Sequence, residues 1–237
     1  MTNPAVLFVH GALVRDGAWW WGPTAGLLRE RTGIESRAVA LPSCGETTSG
    51  GGLTEDAGAL RRALDDVASA DGTAILVGHS YGGTVIAEAG QHPAVSHLLL
   101  VSSYLPPVGA SQGSIMSGEP DPVAVRQDDD GRIVVDGYDA ESFGARFLQD
   151  ADEATRHEAW SRVTSQDVRA FGTPTTAAGW AGVDSTAIVC GDDRSTTVAL
   201  QRQHAERATR TVELPTGHHP FISRPDLVVE QLEAFLV

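Results

Sequence analysis

Gly78-His79-Ser80-Tyr81-Gly82-Gly83 sets a serine among glycines, directly after the apolar run Ala74 to Val77 and directly before a stretch of helical character. A Gly-x-Ser-x-Gly string at a strand-to-helix junction is a nucleophile elbow. The sharp turn strains the serine backbone, and Gly78 and Gly82 let neighbouring segments approach without Cβ clashes. The helix start behind Ser80 favours negative charge as it develops there. A serine hydroxyl is a weak nucleophile until a base takes its proton. His218 and His219, in Leu214-Pro-Thr-Gly-His-His-Pro220, are the candidate bases, with Gly217 leaving room for the turn. The base needs a carboxylate on its far nitrogen. Asp192 and Asp193 stand where one belongs, just past the strand-like run Thr186 to Cys190. The chain order Ser80, Asp193, His218 is the serine–acid–base order of hydrolases that use this elbow. Acyl transfer also needs donors for an oxyanion, and the backbone amides of Ala12 and Tyr81 are in position to supply them. His10 and His79 read as loop support rather than proton carriers.

These residues require a sheet to carry them. Apolar strand-like runs alternate with helix-like runs, the signature of a parallel sheet covered by helices. Ala5 to His10, Ser36 to Ala40, Ala74 to Val77, His97 to Val101, Thr186 to Cys190 and Thr211 to Leu214 read as strands. Helices are expected from Pro23 to Arg31, with proline in the first turn, and from Glu55 to about Ala70, capped by Thr54. Others are expected over Gly83 to Gln91, Val198 to Ala208 and Pro225 to Phe235. Between Pro106 and Gly182 the alternation stops. A loop-rich entry with Asp128, Asp129 and Asp130 in a row leads to a helical stretch over Glu141 to Val168, the form of a cap over a site. The 237 residues, 41% hydrophobic, suffice for one large core, and one domain with an inserted cap is expected.

Composition removes other chemistries. The 31 acids against 17 bases give 17 − 31 = −14, a surface that repels phosphate backbones and anionic lipid. Every base is arginine, so Schiff-base and pyridoxal chemistry and the P-loop lysine are excluded. Cys44 and Cys190 lack metal spacing, the histidines show no paired ligand spacing, and neither metal nor cofactor is expected. No apolar run spans a bilayer and no signal peptide is apparent, so a cytoplasmic protein is expected, with a homodimer left open.

The chain resembles the small α/β-hydrolases that include plant salicylate-ester and other methylesterases, hydroxynitrile lyases and bacterial esterases. The resemblance covers nearly all of it. It rests on Val9-His-Gly-Ala12, Gly17-Ala-Trp-Trp-Trp21, Leu76-Val-Gly-His-Ser-Tyr-Gly-Gly83, Leu105-Pro-Pro107, Cys190 to Arg194 and Thr216-Gly-His-His-Pro-Phe221. It implies an α/β-hydrolase fold of about six mostly parallel strands, with a helical cap over about residues 105–180. The family pattern selects Asp193, before the arginine, and His218, after Thr-Gly. Three departures stand out: a long loop over Leu13 to Asp16, Ser43-Cys44 in place of the usual glycine after Leu-Pro, and Ser195-Thr-Thr197 without the common proline. The absence of lysine argues against cyanohydrin cleavage.

The expected function is cleavage of a small or medium carboxylic ester, thioester or lactone by Ser80, His218 and Asp193. Leu13, Trp20, Tyr104, Phe147, Trp160 and Trp180 are the expected pocket residues, about half of them core instead. Two other readings stand beside this: a lyase or cyclase working in the same pocket, and a ligand-binding protein on the same fold.

Overall fold

The computed structural model describes residues 4–48 and 50–236. Six parallel strands form its main sheet: β1 Ala5–Val9, β2 Ser36–Ala38, β3 Ala74–His79, β4 Val95–Val101, then β7 Ser185–Cys190 and β8 Arg210–Leu214. Their order is β2-β1-β3-β4-β7-β8. The interior strand β3 is buried at every residue, as a parallel strand covered on both faces must be. The helices are α1 Gly17–Thr32, α2 Leu53–Ser69, α3 Tyr81–Ala89, α8 Val198–Ala205, α9 Pro220–Ser223 and α10 Pro225–Glu233. One core layer joins Leu7, Leu76, Leu98 and Leu100 to Leu60 and Leu64 of α2 and Val85 of α3. The other joins Phe8, Ile75, Val77 and Leu99 to Trp20, Trp21 and Leu28 of α1 and Val228 and Leu232 of α10.

Between β4 and β7 lie α4 Gln112–Met116, the antiparallel pair β5 Val125–Gln127 and β6 Ile133–Val135, α5 Ala140–Phe147, α6 Glu153–Trp160 and α7 Arg169–Gly172. Two features of this insert differ from the sequence expectation. The three consecutive aspartates make a hairpin turn: Asp128 Oδ1 accepts from the Asp130 and Arg132 amides at 3.1 and 2.8 Å, and Gly131 takes φ 74. The helical stretch from Glu141 breaks after Phe147, because Asp152 caps a new helix by accepting from the Thr155 amide.

Three helix starts also move, α3 beginning at Tyr81 directly after the serine rather than at Gly83. Helix α1 begins at Gly17, capped by Asp16 through the Trp19 amide, so Pro23 lies inside it rather than in its first turn. Helix α2 begins at Leu53 with Gly52 before it, and the Glu55 carboxylate, not Thr54, satisfies the Gly52 amide at 2.7 Å. Among the described residues no helix is long and apolar enough to cross a membrane.

Candidate active site

Four adjacent strands end on the same edge of the sheet, and each end delivers a polar group. In parallel α/β sheets ligands bind beyond the carboxyl ends of the strands. Ser80 follows β3, Ser102 follows β4, Asp193 lies three residues past β7, and His218 lies four past β8.

Ser80 has φ 48 and ψ −119, a strained conformation for a residue with a side chain. Its neighbours show why the flanking positions are glycine. A Cβ on Gly82 would lie 2.3 Å from the Val9 carbonyl oxygen, and one on Gly83 would lie 2.1 Å from the Tyr104 carbonyl oxygen. The turn sits against both neighbouring strand ends, and only bare backbone fits. The Ser103 hydroxyl donates to the Ser80 carbonyl at 2.8 Å and steadies the bend.

Asp193 and His218 meet at 2.7 Å between Oδ2 and Nδ1, with side chains 0% and 4% exposed. The carboxylate is over-determined. Oδ1 accepts from the Ser195 and Thr196 amides at 2.7 and 3.0 Å, and Oδ2 also accepts from Gln201 Nε2 at 3.0 Å and Ser102 Oγ at 2.5 Å. Burial alone raises a carboxyl pKa, but the charge and hydrogen bond of His218, then Ser102 and the Thr196 amide, hold Asp193 below the ordinary value. With Nδ1 donating to a carboxylate, His218 presents the Nε2 lone pair to the cavity. Asp192 is exposed, and only its backbone is engaged, the amide to Thr216 and the carbonyl to Gln149.

His79 and His219 frame His218. His79 Nε2 donates to the His218 carbonyl at 3.1 Å, and His219 Nδ1 donates to the Phe147 carbonyl at 2.8 Å, tying the loop after β8 to the insert. Burial, together with the nearby imidazoles, lowers the pKa of His79, and burial with His218 lowers that of His219 to about 3. Both are neutral supports. Nitrogens of His79, His218 and His219 lie within 4.8 Å of one another, so among the described residues these three could hold a metal ion.

Ser80 and His218 line one cavity with Gly11, Ala12, Leu13 and Val14 of the loop after β1. A Cβ on Gly11 would lie 3.3 Å from the Ser80 Cβ, so this loop passes directly over the serine. The Tyr81 amide, first in α3, has no helical acceptor. Tyr104 lines the same cavity, its hydroxyl 3.0 Å from that of Thr196 and its pKa pushed up to about 12 by burial, and among the described residues no hydrogen bond joins the Ser80 hydroxyl to His218. Such contacts are commonly loose until substrate binds.

Of the expected pocket residues, Leu13, Tyr104 and Phe147 line the cavity. Trp20, Trp160 and Trp180 do not. Trp20 is 1% exposed and packs behind His219, its indole donating to the Arg15 carbonyl at 3.0 Å. Trp160 packs on Phe143 with ring centroids 5.5 Å apart, and Trp180 donates to the Pro106 carbonyl at 2.9 Å. Each is held by partners inside the fold. The cap supplies Met116, Val123, Val135 and Phe143 instead.

Three functional neighbours escaped the sequence reading. Ser102 and Gln201 hold Asp193, and no motif announces them. Glu46 lies 2.7 Å from His10 and also accepts from the Asp16 and Leu41 amides, bracing the loop over the serine. Burial works against charge on both members of this pair, but their contact raises the His10 pKa and brings that of Glu46 to about 2.

The strand order, the strained serine turn after β3 and the buried Asp193–His218 pair at the strand ends are the architecture of an α/β-hydrolase. The chain belongs to the alpha/beta hydrolase family, whose model matches residues 6–231. It is 28% identical over 252 residues to a pyrethroid hydrolase of Sphingobium wenxiniae, covering 99% of this chain and 88% of that one. It is 29% identical over 246 residues to an alpha/beta hydrolase of Aspergillus novofumigatus, nvfD, covering 98% and 96%. A solved pyrethroid hydrolase from Sphingobium faniae superposes with TM-score 0.80 at 26% identity, covering 99% of this chain and 98% of that one.

Proposed function

We propose that the protein is a serine hydrolase that cleaves a neutral, small or medium carboxylic ester through an acyl-enzyme. The carrying observation is the buried 2.7 Å pair of Asp193 and His218 on the wall of the cavity that Ser80 also lines. Rotation of the Ser80 hydroxyl toward His218 Nε2 starts the reaction. Oγ bonds to the ester carbonyl carbon as its proton passes to Nε2, and the Ala12 and Tyr81 amides hold the oxyanion. Collapse breaks the bond to the alcohol oxygen, which takes that proton. Water then repeats the sequence, releasing the carboxylic acid and restoring Ser80. Asp193 keeps the imidazole in the productive tautomer and stabilises the imidazolium.

The lining favours an uncharged substrate. Leu13, Val14, Met116, Val123, Val135, Phe143 and Phe147 form the walls, and among the described residues no arginine lines them. Glu119 is the charged group on the cap side, held by the Thr197 amide and hydroxyl at 2.7 and 2.9 Å. An anionic acyl chain meets repulsion there without a compensating cation. Likeness over nearly the whole chain to a hydrolase favours hydrolysis over lyase or cyclase chemistry.

The test is a panel of p-nitrophenyl esters of increasing acyl length, run on the wild type and on Ser80→Ala and His218→Ala. Each substitution is expected to lower turnover by about 10⁴ to 10⁶. Retention of a tenth of wild-type turnover by Ser80→Ala contradicts the proposal.

A further inference from the structure

The loop over the serine is held in a conformation its residues do not favour. Leu13 has φ 61, in the left-handed region that a branched side chain avoids. Its carbonyl accepts from the Thr164 amide at 2.9 Å, and its amide donates to Gln166 Oε1 at 2.8 Å. The bonding continues inward. Gln166 Nε2 donates to Ser43 Oγ at 2.9 Å, and Ser43 Oγ donates to Asp56 Oδ2 at 2.5 Å. The Ser43 amide donates to Asp56 Oδ1 at 2.9 Å, and the Tyr81 hydroxyl donates to Asp56 Oδ2 at 2.7 Å. Gln166, Ser43, Asp56 and Tyr81 are all 0% exposed.

Every direction in this chain is forced. The Leu13 amide can only donate, so Gln166 turns its oxygen outward and its nitrogen to Ser43. The Ser43 hydroxyl, having accepted, donates to Asp56. Three donors converge on that carboxylate, which satisfies it although burial pushes its pKa up. The network therefore runs without a break from Leu13 to the side chain of Tyr81. Ala12, bonded to Leu13, and Tyr81 itself carry the proposed oxyanion donors. Ser43 stands where the resembled family has glycine, which has no hydroxyl to relay the bond. Gln166 also exchanges both backbone hydrogen bonds with Ile133 at 2.7 and 2.8 Å, joining the cap hairpin to the same line.

We propose that Gln166 and Asp56, linked through Ser43, are positioning residues that fix the spacing between the Ala12 and Tyr81 amides. The inference rests on the acyl-transfer reading of the site. A small error in placing such donors weakens transition-state binding more than substrate binding.

The experiment compares wild type, Gln166→Met, Tyr81→Phe and their double variant on one p-nitrophenyl ester. It also measures inhibition by an aryl trifluoromethyl ketone, which forms a tetrahedral adduct with a serine. Each single variant is expected to lower kcat about tenfold with KM within about twofold, and to weaken ketone inhibition in parallel. The two side chains share no direct hydrogen bond, yet both cuts open the same line, so the double variant is expected to lose about tenfold rather than about a hundredfold. Unchanged kcat and ketone affinity in a folded Gln166→Met protein overturn the proposal, as do fully multiplicative losses or a loss confined to KM. Should Gln166→Met fail to fold, Ser43→Gly removes only the relay hydroxyl. It is expected to lower kcat and ketone affinity together, and full retention of both overturns the proposal. A wild type that neither cleaves esters nor binds the ketone refutes the underlying acyl-transfer reading instead, an outcome distinct from all of these.

Discussion

Ser102 offers a worked test of how the acid is held. It is fully buried at φ 41, and its hydroxyl donates to Asp193 Oδ2 at 2.5 Å while lying 3.1 Å from His218 Nδ1. Ser102→Ala removes a hydrogen bond to a buried charge and leaves the backbone strain in place. A bond of that kind is worth about 1.5–3 kcal/mol. Ser102→Gly removes the same bond but also relieves the left-handed strain, about 1–2 kcal/mol, against about 0.4–1 kcal/mol of added unfolded-state freedom. The glycine variant is therefore expected to be at least as stable as the alanine variant, by up to about 1.6 kcal/mol. Four other donors still hold Asp193, so both variants are expected to keep ester turnover within about tenfold of wild type. Urea unfolding and p-nitrophenyl ester kinetics measure the two effects. An alanine variant destabilised by less than about 0.5 kcal/mol, or a glycine variant less stable than alanine, refutes the reasoning.

The acid side of the stability curve carries a second expectation. With a pKa of about 3 in the fold, His219 stays neutral at a pH where the unfolded chain takes up a proton. Stability contributed this way is intact above about pH 6.5 and is lost as pH falls toward 3, by about 1.4 kcal/mol per pH unit. His219→Asn is expected to flatten the slope between about pH 6 and 4 by that amount, and an unchanged slope in urea titrations contradicts it. Gly83→Ala drives a Cβ to 2.1 Å from the Tyr104 carbonyl oxygen, and circular dichroism is expected to show loss of about 3 kcal/mol or more, or no native fold. Glu119→Gln is expected to raise kcat/KM for half-esters with an anionic acyl end about tenfold while changing neutral esters little. Equal effects on both panels rule out a charge-selective role for Glu119.

The sheet was legible because its inner strands β1, β3, β4 and β7 are short, mostly apolar runs bounded by turn residues, and the Gly-rich junction at Ser80 marks the strand-to-helix turn. The insert was harder. A hairpin of two three-residue strands has too little periodicity to announce itself, and Asp128-Asp129-Asp130 reads as a solvated run until its side chain caps the turn. Pocket aromatics were the weakest inference, since Trp20, Trp160 and Trp180 satisfy their size by packing within the fold and a sequence does not say which way an indole faces. Ser102, Gln201 and Glu46 were invisible for a different reason. Each acts across 36 or more residues, or across a turn whose shape depends on the finished sheet, and polar residues of these types are common on any surface.

The central claim is that Ser80 itself carries the acyl group. Intact-mass and peptide mass spectrometry after brief exposure to a fluorophosphonate, and after rapid quenching with an activated ester, tests it most directly. One adduct per chain on the peptide holding Ser80, abolished in Ser80→Ala and slowed in His218→Ala, is the predicted result. Ester turnover with no adduct, or with the label on another residue, contradicts it.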